Sequence, residues 1–184
     1  MAGSDRIQYH TTRETVPEGG REYFDSIEES RGRVRGPFSV LLNSPELAGR
    51  IGHVGAYVRF ESELPDDERE LAILTTARAF DCAFEWAAHV PIARDAGLSE
   101  STIDVVAESK PADELEGNER IIVEYGRELF GDRRVSDETY EAAFERFGES
   151  GVTELTATMG YYSMIACVLN AFEVFPGTDQ PRLP

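Results

Sequence analysis

Hydrophobic residues recur every three or four positions along most of the chain, which is the spacing of one face of an α-helix. Ser44 and Pro45 form a typical helix start, and the segment after them shows this spacing at Leu47, Ile51, Val54 and Val58. No segment alternates hydrophobic and polar residues as a half-buried strand does. The pattern therefore predicts an all-α fold in which this face packs against the rest of the domain.

We expect seven or eight helices in a single compact helical domain. The expected helices cover residues 21–30, 44–58, 64–80, 81–97, 99–107, 115–130, 136–147 and 152–172. In the helix at 81–97, Asp81 is the expected cap and Pro91 is expected to cause a kink. The domain is predicted to span residues 21–176, between a flexible N-terminal tail at 1–20 and a C-terminal tail at 177–184.

The charge of the chain is strongly unbalanced, with 35 acidic residues, 18 basic residues and a net charge of −17. Such a negative field argues against nucleic acid and against anionic membranes as partners. It suits a solvated surface in a high-salt cytoplasm, and an acidic bacterial protein from a high-GC genome is the alternative.

Cys82 and Cys167 do not form a disulfide framework, which favours a reducing cytoplasm. The first twenty residues lack the apolar run of a signal peptide.

One segment is long and uncharged enough to raise the question of a membrane span. Residues 155–172 contain no charged side chain over eighteen positions. However, the segment includes polar residues, and glutamates rather than basic anchors flank it at positions 154 and 173. We therefore expect a helix buried in the core or at a subunit interface, and not a membrane-spanning helix.

The candidate chemistry is concentrated in residues 81–89. On a helix, Cys82, Glu85 and His89 occupy positions i, i+3 and i+7, so that a thiol, a carboxylate and an imidazole share one face. Glu70 stands twelve residues before Cys82, on the preceding predicted helix. Its carboxylate would join the cluster if the two helices pack antiparallel.

This combination of groups suits proton transfer next to a carbonyl. Glu85 can hold the His89 imidazole in one tautomer and raise its proton affinity, and Glu70 can hold a second proton or orient water. Decarboxylation, isomerisation and lactone opening all require such chemistry. Glu85 and His89 match neither the paired-histidine zinc motif nor the di-iron motif, so no metal is expected. A plain helix-stabilising pair beside a buried cysteine is the alternative.

Three sets of residues resemble the carboxymuconolactone decarboxylase family, which includes the alkyl hydroperoxide reductase D proteins. The first runs from Arg31-Gly32 to Pro45, the second joins Arg69-Glu70-Leu71 to Glu85-Trp86-x-x-His89 and Ala96-Gly97-Leu98, and the third includes Gly160-Tyr161-Tyr162. Together the resemblance covers residues 31–175. It implies an all-helical, alkylhydroperoxidase-D-like subunit that forms homo-oligomers, commonly trimers or hexamers.

The peroxidase branch of this family carries Cys-x-x-Cys-x-x-x-His, with a glutamate twelve residues before the first cysteine. This chain keeps that spacing with Glu70, Cys82 and His89 but has Glu85 in place of the second cysteine. The departure implies the decarboxylase-like branch, whose members are thought to use acid–base chemistry without a cofactor. A thiol peroxidase using Cys82 and a non-catalytic oligomer are the alternative hypotheses.

The sequence thus predicts a cofactor-independent, cytoplasmic enzyme acting on a small carbonyl, lactone or carboxylate substrate. The predicted catalytic residues are Glu70, Cys82, Glu85 and His89, with His89 as the general acid–base. The predicted substrate-binding residues are Phe38, Arg78, Trp86, Tyr161 and Tyr162. Arg33 and Arg35, with Arg78, are further candidates for binding an anionic substrate. Because a pocket residue adds little to packing, His89→Ala is expected to leave the thermal midpoint within a few degrees.

Overall fold

A computed structural model describes residues 6–184 of the chain. These residues form eight α-helices and three short 3-10 helices, and no strand occurs among them. The α-helices are α1 Arg21–Arg31, α2 Pro37–Leu41, α3 Pro45–Phe60, α4 Asp66–Ala79, α5 Ala83–Asp95, α6 Glu100–Ala107, α7 Gly117–Gly131 and α8 Asp137–Ala171. The predicted all-α fold and its number of helices are confirmed.

The contacts within the chain divide the described residues into two compact units. We call residues 6–62 together with Cys167–Phe175 the N-terminal unit, and Glu63–Ala166 together with Pro176–Pro184 the central unit. Helix α8 contributes residues to both units. The helix periodicity of the sequence carries no signal for this division, because it reports the buried face of each helix and not which helices pack together.

The N-terminal unit is built on a close contact between α1 and α3. A Cβ atom at Gly49 would lie 2.3 Å from the Tyr23 ring, so only glycine allows this approach. The predicted buried face of α3 is therefore wrong for Leu47 and Val54, which are 49% and 54% exposed, while Val58 is buried as predicted. The other buried residues of α3 are small, and they are Ala48, Gly49, Gly52 and Gly55.

Residues 6–20, which fall in the predicted tail, make several contacts within the N-terminal unit. His10 and Val16 are buried. The His10 amide donates to the Ser39 carbonyl at 2.7 Å, and Arg13 forms an ion pair with Asp25 of α1 at 2.7 Å. These contacts hold residues 10–16 against α1 and α2. Residues 1–5 of the predicted tail lie outside the described residues.

Several predicted helix ends agree with the structure, and one does not. Helix α4 begins directly after Pro65 with acidic residues in its first turn, and Ser99 caps α6 by accepting a hydrogen bond from the Thr102 amide at 3.1 Å. The prediction for α5 is wrong in one respect, since Cys82 and not Asp81 holds the cap position. Asp81 adopts a left-handed conformation with φ of 47° in the turn before it.

Helix α8 is broken by a kink at Gly148, inside the gap that was predicted between residues 147 and 152, so it consists of two helical segments as the sequence predicted. Only Gly148 departs from helical geometry, with φ of 68° and ψ of −177°, a conformation that glycine adopts readily. The uncharged segment buries several apolar side chains, including Leu155, Met159, Ile165 and Leu169. In residues 6–184 no helix is long and apolar enough to span a membrane.

Helix α4 is the central helix of its unit, because all ten residues at positions 68–77 are buried. It packs mainly against α5 and α7. The surrounding core includes Trp86 and Val90 from α5, Ile122 and Val123 from α7, and Leu155 from α8. Polar residues on α4 must therefore find their hydrogen-bond partners inside the protein.

Glu68 of α4 is one such residue, and Arg146 supports it. Its Oε1 accepts hydrogen bonds from Asn118 Nδ2 and Arg146 Nη2, both at 2.7 Å, and no donor among residues 6–184 reaches its buried Oε2. We predict that Arg146→Met lowers the free energy of unfolding by about 1–3 kcal/mol, because it removes a donor from a buried carboxylate. Urea denaturation provides the measurement.

The matched control is Arg120→Met, which removes an arginine paired with Glu124 at 2.8 Å on the exposed side of α7. That side chain is half exposed, so its loss is expected to cost less than about 1 kcal/mol. Equal effects of the two substitutions would contradict a special role for the buried Glu68 carboxylate.

Candidate active site

Helices α4 and α5 bring the candidate catalytic residues together. A turn of three residues joins the two helices, and the Cys82 amide donates back to the Ala77 carbonyl at 2.8 Å. Glu70 lies eleven residues before the middle of the turn and His89 lies eight residues after it, and their side chains meet. The two helices therefore run antiparallel, which is the arrangement that the candidate site required.

The imidazole of His89 lies between two carboxylates. Its Nδ1 is 2.6 Å from Glu70 Oε2, and its Nε2 is 3.3 Å from Glu85 Oε2. Glu70, Glu85 and His89 are 2%, 5% and 3% exposed. We call these three residues the proton cluster. When the imidazole is charged, it donates an N–H to each carboxylate, so the charged form satisfies both contacts at once.

The two carboxylates determine the protonation state of His89. Burial alone lowers the pKa of His89, because it disfavours the charged ring. The hydrogen bonds to Glu70 and Glu85 and the negative charges of both residues outweigh this effect and raise the pKa to about 9. His89 is therefore an imidazolium at neutral pH.

The raised pKa of His89 links the proton cluster to the stability of the fold. In the unfolded chain the ring has its ordinary pKa of about 6.5, so the folded protein holds the proton more tightly. The resulting stabilisation is about 3 kcal/mol, present in full below pH 6.5 and lost as the pH rises through about 9. Alkaline conditions are therefore expected to weaken the fold at this site.

Nuclear magnetic resonance can test this protonation state directly, because the chain has only three histidines. We predict that the ring signals of His89 titrate near pH 9 in the wild type, and that Glu70→Gln lowers this pKa by one unit or more because glutamine carries no charge. The exposed His53 serves as the internal reference. A His89 ring that titrates near its ordinary pKa in the wild type would contradict the assignment.

The predicted aromatic wall lies partly around the imidazole. Tyr162 contacts the His89 ring edge to face, with centroids 5.1 Å apart, and Tyr161 contacts Tyr162 in the same way at 5.3 Å. Both tyrosines are buried. Trp86 is also buried and belongs to the hydrophobic core of the central unit. The contact with Tyr162 places an aromatic ring directly beside the imidazole.

Cys82 stands at the N-terminal cap of α5 and is fully buried. Its carbonyl accepts a hydrogen bond from the Trp86 amide at 3.1 Å. Cys82 and Cys167 are both free cysteines. The position keeps Cys82 on the same turn as Glu85, as the sequence predicted, but its sulfur has no exposed surface.

The three arginines proposed for anion binding and Phe38 make other contacts than those of the proton cluster. Arg78 donates from Nε to the Ala107 carbonyl at 2.9 Å and pairs with Asp81, so its guanidinium holds the turn between α4 and α5. Phe38 belongs to the N-terminal unit, where its ring lies 4.4 Å below the Arg31 guanidinium. Arg33 and Arg35 are exposed in the turn between α1 and α2. Within the central unit, the predicted site residues that come together are those of the proton cluster with Tyr162 and Tyr161.

Three surface cavities are described in the central unit, with volumes of about 480, 450 and 350 Å³. Their walls come from α6, α7, the start of α8 and the loops beside them. None of these three cavities is lined by Glu70, Glu85 or His89.

The metal-binding capacity of the described residues is low. In residues 6–184 no group of three or more histidine, cysteine, aspartate or glutamate side chains is arranged to hold a metal ion. At His89 the reason is geometric, because each ring nitrogen already faces a carboxylate oxygen. A metal would have to displace one of these contacts.

Part of the chain that contains the proton cluster matches a known protein family. Residues 45–114 match the model of the carboxymuconolactone decarboxylase family. The predicted resemblance to this family is confirmed. The matched range contains all three residues of the proton cluster and Cys82, but it is shorter than the predicted span of 31–175. Among curated proteins, none matches the chain.

Solved structures of the alkylhydroperoxidase-D type share this fold. The alkylhydroperoxidase AhpD core protein from Ralstonia eutropha JMP134, described as peroxidase-related, has a TM-score of 0.75 and 17% identity, covering 92% of this chain and 91% of its own. A peroxidase-related protein from Silicibacter sp. TM1040 has a TM-score of 0.74 and 14% identity, covering 97% and 96%. The debrominase Bmp8 has a TM-score of 0.75 and 13% identity, covering 95% and 94%. At such identities the likeness shows a common fold.

Proposed function

We propose that this carboxymuconolactone decarboxylase-like protein is a cofactor-independent enzyme that moves a proton on a small carbonyl, lactone or carboxylate substrate. The observation that carries the proposal is the contact of both His89 ring nitrogens with carboxylates, at 2.6 Å to Glu70 and 3.3 Å to Glu85. Three ionisable groups buried together in apolar surroundings are costly to a fold, and such clusters occur mainly at functional sites.

The geometry supports a division of roles that differs from the sequence-based hypothesis. Both nitrogens of His89 face carboxylates, so the ring has no free nitrogen to present to a substrate. Glu85 makes the longer of the two contacts, and its second oxygen, Oε1, is not part of that contact. Glu85 is therefore the proposed proton acceptor and donor, with His89 as the group that stabilises its charge. Glu70 keeps His89 protonated.

The charges of the proton cluster favour this use of Glu85. With two carboxylates and one imidazolium the cluster carries one net negative charge in a buried site. When Glu85 takes a proton from a substrate, the cluster becomes neutral, which the low-polarity surroundings favour. The negative charge then resides on the substrate as an enolate beside the imidazolium, where it is stabilised electrostatically.

The proposed step balances for the two main reaction types. In isomerisation a C–H bond next to the carbonyl breaks, its electron pair forms the enolate, and Glu85 takes the proton and returns it to another atom. In decarboxylation Glu85 begins protonated, the C–C bond to the carboxylate breaks, carbon dioxide leaves, and the resulting enolate takes the proton of Glu85, which recovers one from solvent. Neither step needs an external oxidant, reductant or cofactor.

A second candidate function is a thiol peroxidase using Cys82. Its support is the fold shared with peroxidase-related proteins and the position of Cys82 at a helix N-terminus, which favours a thiolate. A debrominase of this fold was also crystallised as a cysteine-to-alanine variant with 2,3,4-tribromopyrrole. Against this function stand the complete burial of Cys82 and the glutamate at position 85.

The test compares the two reactions in the wild type and in Cys82→Ser. Carboxymuconolactone, the compound in the family name, and acetoacetate serve as substrates for carbon dioxide release. tert-Butyl hydroperoxide with dithiothreitol serves as the peroxidase substrate pair. We expect carbon dioxide release that Cys82→Ser retains, because serine does not alter the proton cluster. Peroxide consumption that Cys82→Ser abolishes, without carbon dioxide release, would favour the second candidate instead.

A further inference from the structure

Thr158 of α8 carries a buried hydroxyl that the fold does not use. The residue is 1% exposed, and its Oγ1 has no hydrogen-bond partner among residues 6–184. Thr153 and Thr156 on the same helix instead donate to the carbonyls four positions before them, at 2.7 and 2.8 Å. Because an unpaired buried hydroxyl costs stability, its presence indicates a partner that the chain itself does not supply.

The position of Thr158 on α8 relates it to the proton cluster. Tyr162 follows it by four residues, so the two side chains lie one helical turn apart on the same face of α8. The Tyr162 ring contacts the His89 imidazole with centroids 5.1 Å apart, and all three residues belong to the central unit. The unpaired hydroxyl therefore lies on the side of α8 that faces the proton cluster.

A hydroxyl at this position would supply a group that the proton cluster lacks. Both ring nitrogens of His89 face carboxylates, so the imidazolium stabilises an enolate through its charge and not through a hydrogen bond. The carboxylates themselves repel the negative oxygen of an enolate. A donor to the substrate oxygen must therefore come from another residue, and a neutral side-chain hydroxyl is a common donor to such an oxygen.

We propose that Thr158 is a substrate-binding residue whose hydroxyl donates a hydrogen bond to the substrate carbonyl oxygen and to the enolate oxygen formed from it. This role rests on the proposed function and narrows its substrate class. A neutral hydroxyl does not offset a second negative charge, so it suits the uncharged carbonyl of a ketone or lactone better than a second carboxylate. The proton stays on Oγ1 throughout the step.

Thr158→Val removes the hydroxyl and nearly keeps the shape of the side chain. With acetoacetate we expect its kcat/KM, measured per folded molecule, to fall at least about tenfold, mainly in kcat, because the hydrogen bond strengthens as the oxygen becomes negative. Its urea midpoint is expected to be no lower than that of the wild type, since valine removes an unpaired polar group. Thr158→Ser keeps a hydroxyl and is expected to stay within a few-fold of the wild type. Wild-type kcat/KM in Thr158→Val would overturn the proposal.

Thr75→Val is the matched control. Thr75 of α4 is also buried, and its hydroxyl is also unpaired within the part of the chain that the structure describes. It lies roughly 140° around α4 from Glu70, and its methyl group would be 2.7 Å from a Cβ atom at Gly126 of α7. We expect Thr75→Val to keep kcat/KM within about twofold. An equal loss in both valine variants would assign the effect to packing and overturn the proposal.

Binding of acetylacetone separates this role of Thr158 from the proposed function. The enol of acetylacetone resembles an enolate, and isothermal titration calorimetry measures its affinity without turnover. We expect Thr158→Val to raise the Kd at least about tenfold, and Thr75→Val to leave it nearly unchanged. If the wild type binds acetylacetone but does not convert acetoacetate, the proposed function fails, while weaker binding in Thr158→Val still supports the role of Thr158. A wild type that neither converts acetoacetate nor binds acetylacetone, or unchanged affinity in Thr158→Val, would overturn that role.

Discussion

His89→Ala is expected to lower the free energy of unfolding at pH 7 by about 3–5 kcal/mol. His89 is 3% exposed, and its imidazolium compensates the charges of Glu70 and Glu85, which are equally buried. Alanine leaves both carboxylates without a positive partner and also removes the ring that Tyr162 contacts. The sequence led us to expect a nearly unchanged thermal midpoint for this variant. The structure leads us to expect a large loss of stability instead.

Urea denaturation followed by circular dichroism measures this loss, with His53→Ala as the control. His53 is exposed on α3, so its removal is expected to change stability by less than about 0.5 kcal/mol. A variant that adds Glu70→Gln and Glu85→Gln to His89→Ala should recover part of the loss, because it removes the uncompensated charges. If His89→Ala costs less than about 1 kcal/mol, the buried ion cluster is not present in solution.

Glu85→Gln is expected to reduce kcat/KM by about 10²–10⁴-fold on a substrate that the wild type converts. Glutamine has nearly the shape of glutamate and can still contact His89 Nε2, but it cannot take up a proton at neutral pH. The effect is expected mainly in kcat, because the proton is transferred only in the transition state. Steady-state kinetics with carboxymuconolactone or acetoacetate provide the measurement.

The matched control for this prediction is Glu154→Gln on α8. Glu154 is also buried, and its Oε2 accepts a hydrogen bond from the Glu63 amide at 2.8 Å, but it is not part of the proton cluster. Its replacement is expected to reduce stability while the rate per folded molecule stays within a few-fold of the wild type. Full activity in Glu85→Gln would reject Glu85 as the reacting group.

Much of the candidate site could be predicted from the sequence because it is local. Glu85 and His89 are one helical turn apart, and helix geometry alone brings them to the same face. The position of Glu70 needed only one further assumption, that two helices joined by a short turn run antiparallel. The Glu70–His89 contact at 2.6 Å agrees with that assumption.

The burial of the site could not be predicted in the same way. The middle of α4 has no solvent-exposed face, since residues 68–77 are all buried. Its polar side chains, such as Glu68 and Glu70, are paired inside the protein. A sequence pattern shows which residues are polar but not whether a neighbouring helix supplies those partners. Glu70, Glu85 and His89 are therefore buried, and Arg78, a candidate for anion binding, donates to the Ala107 carbonyl and pairs with Asp81.

The sequence by itself determined the all-α fold, most helix ends and the grouping of Glu85 with His89, because these follow from contacts between residues a few positions apart. The tertiary structure decided which face of each helix is covered. On α3 it buried Gly49 and left Leu47 and Val54 exposed, because the close approach of α1 leaves no room for a Cβ atom at position 49. It also raised the pKa of His89 to about 9, since only packed helices can remove water and hold two carboxylates on one ring.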